Sequence, residues 1–160
     1  MTWKSHKIST LAIIYAATGF IPGALVAMFA STLPDRLELR GAIKHRTVTH
    51  WFLPVLIVFS VIWRWYAVSH SLLALLLLFI AAGYIAHLFE DLMSKSGIPF
   101  VSPYEKTVGL SLYTTGKPTE YMALFILIAL SAGISWYRGF FSLLHMQGQL
   151  DTIARLWTPL

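Results

Sequence analysis

The sequence predicts an all-α, polytopic membrane helical bundle with about three full spans plus a Pro/Gly-broken N-terminal hairpin or kinked span. Three observations predict it. Of 160 residues, 57% are hydrophobic and only 12% are charged, where an ordinary soluble domain is about half apolar and about a quarter charged. The apolar residues gather into four long stretches, and aromatic residues crowd the ends of those stretches. A soluble fold of this length cannot hide that much apolar surface behind so few charges, so a bilayer covers the rest. No polar linker is long enough to divide the chain, and residues 1–160 read as a single transmembrane domain.

The first stretch runs from Ile8 to about Thr32, after a basic N-terminus (Met1 to Lys7). No small-residue cleavage site precedes Leu33-Pro34-Asp35, so an uncleaved segment is expected. Gly19-Phe20-Ile21-Pro22-Gly23 interrupts it near the middle. Proline removes a backbone donor and glycine favours a turn. The interruption fits either one kinked span or two short helices, Ile8 to Phe20 and Gly23 to Leu33, that enter and leave by one face. A 13-residue helix is only ~20 Å long and does not cross a ~30 Å hydrocarbon core.

The remaining stretches are simpler. They run from Trp51 to about Tyr66, from Ser71 to Phe89 and from Tyr121 to about Tyr137, each near the ~20 residues that span a bilayer. Trp51, Trp63, Trp65, Tyr66, Trp136 and Tyr137 form the interfacial belts. Polar loops at 33–50 and 90–120 separate the spans, and the segment at about 139–160 reads as amphipathic and interfacial. In the hairpin reading, nine of the twelve basic residues share one face and the positive-inside rule puts that face in the cytoplasm. With a single first span the split becomes seven against five, which barely decides orientation.

The formal charge of +5 is therefore read as topology and contact with membrane lipids, not nucleic-acid binding. With no cysteine, disulfide frameworks, cysteine zinc sites and cysteine nucleophiles are excluded. Any metal is held by histidine and carboxylate.

Three polar clusters fall on the same proposed face. In Leu33-Pro34-Asp35-Arg36-Leu37-Glu38, Asp35 emerges where an apolar helix ends; taken alone it also reads as a helix cap or a solvated turn. In His45-Arg46-Thr47-Val48-Thr49-His50, the imidazoles are five apart, which is not a same-face helical spacing. A turn between them still lets both reach one ion, and Arg46 can clamp an anionic oxygen; the plainer reading is a basic loop on lipid phosphates. In His87-Leu88-Phe89-Glu90-Asp91, His87 and Asp91 are four apart and point the same way on a helix. Burying both favours a shared ligand, because an unpaired buried carboxylate is costly. His70 and His145 read as interfacial residues on the opposite face.

The order of these motifs resembles the small bacterial inner-membrane proteins known as membrane-bound, metal-dependent hydrolases, of the LexA-regulated YdjM type. The shared elements here are His6, Leu33-Pro34-Asp35, His45-Arg46-Thr47-Val48-Thr49-His50, His87 to Asp91, Gly97-Ile98-Pro99 and the run Thr115-Gly116-Lys117-Pro118-Thr119-Glu120. The resemblance covers about residues 6–120. Many members carry L-P-D-x-D-H; this chain has Leu37 in place of the second Asp and no following His, with Glu38 as a substitute. It has Trp51 where members often have Ser. These departures argue against a two-metal site.

The expected function is an inner-membrane, multi-pass, metal-dependent hydrolase with a cytoplasm-facing site. The metal set is His6, Asp35, His45, His50, His87 and Asp91. Glu38 or Glu120 is the expected base, and Arg46 or Lys44 the stabiliser of an anionic transition state. Zinc suits the ligand set best, with manganese and magnesium as alternatives. A site at headgroup depth suggests a phosphoester of a lipid or lipid-linked substrate. The alternative is a non-enzymatic membrane protein in which a metal or polar cluster is structural and the loops recruit a protein partner or a second copy. A carrier is disfavoured, because carriers place their binding groups near the midplane.

Overall fold

A computed structural model describes residues 1–38 and 46–157. Helix α1 (Trp3–Thr18) starts earlier than hydropathy alone suggests. The Thr2 side chain caps it by accepting from the Ser5 amide. Its first turns carry Ser5, His6, Ser9 and Thr10, all buried. They are polar because they face other polar groups, not because they lie outside the bundle.

Gly19 closes α1 in the left-handed conformation (φ 67°), which glycine adopts without strain. Phe20 is extended, and Pro22 sits in the first turn of α2 (Ile21–Ala30), where its missing N–H costs nothing. The chain thus turns back, and α1 and α2 pack against each other. This is the hairpin of the two sequence readings. It is deeper than the sequence reading expects. The Thr2 amide donates to Glu120 at the start of α6 (Pro118–Tyr137), while Arg138 at the end of α6 donates to the carbonyls of Ala16 and Ala17. Helix α1 is ~24 Å long and runs alongside α6 from one end to the other.

Short α3 (Leu33–Leu37) follows the hairpin, and a 3-10 turn (Val48–His50) precedes α4 (Phe52–Ser69). Helix α5 (Leu72–Met93) returns, capped at its start by the Ser71 hydroxyl. Helices α4, α5 and α6 are long and apolar enough to cross a membrane. No residue of α4 is buried by the protein itself, as suits a helix with a lipid-facing surface. Helix α5 is central, packing against α1, α2 and α4. Its approach to α2 depends on small residues: a Cβ on Gly83 would lie 2.2 Å from the Ala27 carbonyl oxygen, and Ala24 and Ala27 are fully buried. The loop between α5 and α6 makes two isolated bridges, Ser94 with Tyr113 and Ile98 with Val108, and no strand forms among the described residues.

Helix α7 (Leu143–Trp157) lies against the hairpin tip. His145 Nε2 donates to the Gly19 carbonyl at 2.7 Å, and the Ile21 amide donates to Gln149 Oε1 at 2.9 Å. His70 closes α4 in the left-handed conformation, with its ring edge-on to Tyr66.

Candidate metal centre

Four separate segments meet at the opposite end of the hairpin. The last turns of α5 bring His87, Glu90 and Asp91, all buried. Tyr84, one turn earlier, donates to the Thr49 carbonyl at 2.5 Å and so pins the 3-10 turn to α5. That turn places His50 Nε2 3.2 Å from His87 Nε2. Asp35, in the turn that α3 makes after the hairpin, puts Oδ1 3.4 Å from His50 Nε2 and 3.6 Å from His87 Nε2. Asp91 Oδ2 lies 3.6 Å from His50 Nε2 and 3.9 Å from His87 Nε2. His6 of α1 stacks on His87 with ring centroids 3.9 Å apart, and its Nε2 is 3.5 Å from Asp91 Oδ1.

Those separations can be compared with a coordination shell. A tetrahedron with bonds of ~2.0–2.1 Å to N and O has edges of roughly 3.3–3.4 Å. The three edges that join Asp35, His50 and His87 run from 3.2 to 3.6 Å, and Asp91 Oδ2 lies 3.6 and 3.9 Å from the two imidazoles. The hydrogen bonding also fits a missing cation. Asp35 Oδ1 is buried with no hydrogen-bond partner. A hydrogen bond between His87 and His50 satisfies at most one nitrogen of each and leaves the Asp35 oxygen bare, which is costly away from water.

Each flanking imidazole is oriented from behind. Glu38 Oε1 lies 3.1 Å from His50 Nδ1, and also accepts from Thr49 Oγ1 at 3.0 Å and from the Arg46 amide at 3.1 Å. A carboxylate only accepts, so it favours the proton on Nδ1 and leaves the Nε2 lone pair aimed at the cluster. Glu90 treats His6 the same way: it is paired with His6 Nδ1, and its other oxygen accepts from Thr10 Oγ1 at 3.2 Å. Carboxylate–histidine pairs of this kind are the usual support of metal ligands.

Arg46 Nη2 lies 2.8 Å from Asp91 Oδ2, and Nη1 donates to the Gly97 carbonyl at 2.7 Å. The other oxygen, Asp91 Oδ1, accepts from the Met1 amino group at 3.0 Å. Burial pushes the Asp35 carboxyl up, but the adjacent His50 imidazole at 3.4 Å, with those of His87 and His6 beyond it, outweighs burial and holds the group down at about 2. Burial, reinforced by Asp91 and Glu90, pushes the Tyr113 hydroxyl up; it donates to the Glu90 carbonyl at 2.5 Å.

Of the residues that sequence points to, His6, Asp35, His50, His87 and Asp91 converge here. His45, like Lys44, lies outside the described residues. Glu38 stands behind His50 rather than over the cluster. Glu120 is buried, with its two oxygens accepting from the amides of Thr2 (2.7 Å) and Gly116 (2.6 Å), so it ties α1 to the start of α6. Sequence assigns no role to Tyr84, and it places Glu90 and Tyr113 within motifs without giving them one; Glu90, three residues after His87, carries a helical-spacing signal that its neighbour Asp91 shares.

The fold and the cluster define a polytopic helical membrane protein with a buried histidine–carboxylate centre at one end of an N-terminal hairpin. The chain matches the YdjM inner membrane protein family over residues 1–148, and it belongs to that family. It is an inner membrane protein, with three helices able to cross the bilayer. No curated protein and no solved structure matches it.

Proposed function

We propose that the chain is a metal-dependent hydrolase that acts at the cytoplasmic face on a phosphoester of a lipid or lipid-linked substrate. The observation that carries the reading is the convergence of Asp35, His50 and His87 at coordination spacing, beside the overlapping group of His6, His87 and Asp91, with the Asp35 oxygen left unpaired. Asp35, His50 and His87 would hold the cation; zinc fits the donor set and spacing best, with manganese and magnesium as alternatives. A divalent ion so held supplies Lewis acidity and activates water near neutral pH. The chain's own residues do the rest. Glu38 and Glu90 hold the imidazole tautomers of His50 and His6. Arg46 pairs with Asp91 and presents a guanidinium that suits an anionic phosphoryl oxygen. The basic residues around the cluster, among them Lys4, Lys7, Arg36 and Lys95, support the cytoplasmic orientation.

The Arg46–Asp91 ion pair favours a second reading. It partly neutralises the cluster without a metal, as a purely structural polar knot requires. Phosphate release separates the two. Protein purified in nanodiscs and supplied with Zn²⁺ or Mn²⁺ is expected to release phosphate from phosphatidic acid, and His87→Ala to abolish the release. Equal, background-level release from wild type and His87→Ala contradicts the hydrolase reading and favours the structural one.

A further inference from the structure

The α4–α5 interface is not closed along its length. A groove of about 430 Å³ runs between the two helices. Val58 and Ile62 line it from α4, and Leu77 and Ile80 line it from α5. On α5, Leu77, Ile80, Ala81 and Tyr84 follow the i, i+3, i+4, i+7 stripe of one helical face, so the groove runs along the helix axis. It ends at Val48 and Tyr84, the residues that carry and pin the His50 turn. A second, polar cleft of about 260 Å³ opens on the other side of that turn, lined by Arg46, Thr47, Tyr104 and Glu105 among others. Three consecutive residues, Arg46-Thr47-Val48, therefore join an apolar groove at membrane depth to a polar cleft whose arginine contacts Asp91.

We propose that the α4–α5 groove holds the acyl chain of a phosphate-headed lipid, whose phosphate enters the Arg46–Thr47 cleft beside the histidine–carboxylate cluster. This rests on the hydrolase reading and supplies its substrate class. Polarity favours a lipid chain over a protein segment. The groove lies between two membrane-spanning helices and its described lining is apolar apart from the Tyr84 hydroxyl, while Arg46, two residues before Val48, lines the adjoining cleft. An amphiphile with an apolar tail and an anionic head matches that polarity from end to end.

Ordinary annular lipid touches every exposed helix, so the test is selectivity. The full chain is reconstituted in phosphatidylcholine nanodiscs with a few per cent of a phosphatidic acid probe bearing a diazirine near the end of its acyl chain. After illumination, labelled peptides are mapped by mass spectrometry. The probe is expected to label α4 and α5 around Val58, Ile62 and Leu77 at least fivefold above the exposed α6 surface at Phe125 and Ile126. Excess unlabelled phosphatidic acid removes that difference, and a phosphatidylcholine probe shows none. Val58→Trp and Ile62→Trp, at positions partly or fully exposed to lipid, fill the groove; each is expected to abolish the excess labelling and leave metal content unchanged. Equal labelling of groove and α6 by both probes overturns the proposal, as does excess labelling that survives both tryptophans. Selective labelling without phosphate release upholds the groove and counts against hydrolysis alone. Phosphate release without selective labelling does the reverse.

Discussion

The two ends of the N-terminal hairpin are both fastened by polar side chains, but in opposite ways. At the tip, Arg138 donates to Ala16 and Ala17, His145 to Gly19, and Gln149 accepts from Ile21. Donors meet acceptors, and the atom left over, Gln149 Nε2, is itself a donor and cannot ligate a cation. At the other end, imidazole nitrogens crowd against carboxylate oxygens: His50, His87 and Asp35 lie within 4 Å of one another, the cationic groups Arg46 and the Met1 amine reach Asp91, and the buried Asp35 Oδ1 is left without a partner. The same residue type, histidine, is an ordinary hydrogen-bonding cap in one place and part of an unsatisfied cluster in the other. The difference lies in what surrounds it, so a histidine count says little and a donor–acceptor balance says much.

The sharpest way to break the comparison is to remove one histidine from each end. His50→Ala or His87→Ala is expected to lose most of the bound metal, because each ligand's orientation depends on the others. His145→Ala and His70→Ala are expected to keep it. Metal per purified protein, by elemental analysis, reads the outcome; equal metal in His87→Ala and His145→Ala erases the distinction between the ends.

Removing the support behind a ligand should have a smaller effect than removing the ligand. Glu38→Gln is expected to weaken metal binding by roughly 10–100-fold, measured by competition with a chelator of known affinity. Glu120→Gln provides the contrast, because Glu120 binds the start of α1 and the Gly116 amide rather than an imidazole. It is expected to cost about 1–3 kcal/mol of stability with metal affinity unchanged. A Glu120→Gln protein that binds metal normally but has lost turnover would return Glu120 to a role as base.

The smaller effects come from the hairpin itself. Gly83→Ala sets a Cβ against the Ala27 carbonyl and is expected to destabilise the bundle by about 1–3 kcal/mol. Arg138→Ala leaves two carbonyls at the tip without their donor and is expected to cost a similar or smaller amount. Both are read as shifts in thermal unfolding in detergent. If Arg138→Ala instead strips the metal, the tip and the centre are one cooperative unit and the contrast drawn above fails.

Sequence made part of this legible. The Gly19 to Pro22 turn was visible because proline and glycine act locally. The His87–Asp91 pair was visible because helical spacing is local too. The polar start of α1 was not, since Ser5, Ser9 and Thr10 look solvated until the partners that bury them are known. Glu38 and Glu120 both read as candidate bases because an acid near a metal ligand carries no mark of direction. Only the fold shows Glu38 behind His50, and Glu120 holding the Thr2 amide 118 residues away. The partners of His50 that do lie among the described residues, Asp35 and His87, come from α3 and α5, which its local sequence does not announce.

The account rests on one cation held by residues from separate segments, and zinc-edge X-ray absorption on the zinc-loaded protein tests it most directly. The predicted result is one zinc per chain with a nitrogen and oxygen shell at ~2.0–2.1 Å and outer-shell scattering from two imidazoles, with most of the zinc lost in His50→Ala. No stoichiometric zinc, or a spectrum unchanged in both His50→Ala and His87→Ala, would contradict it.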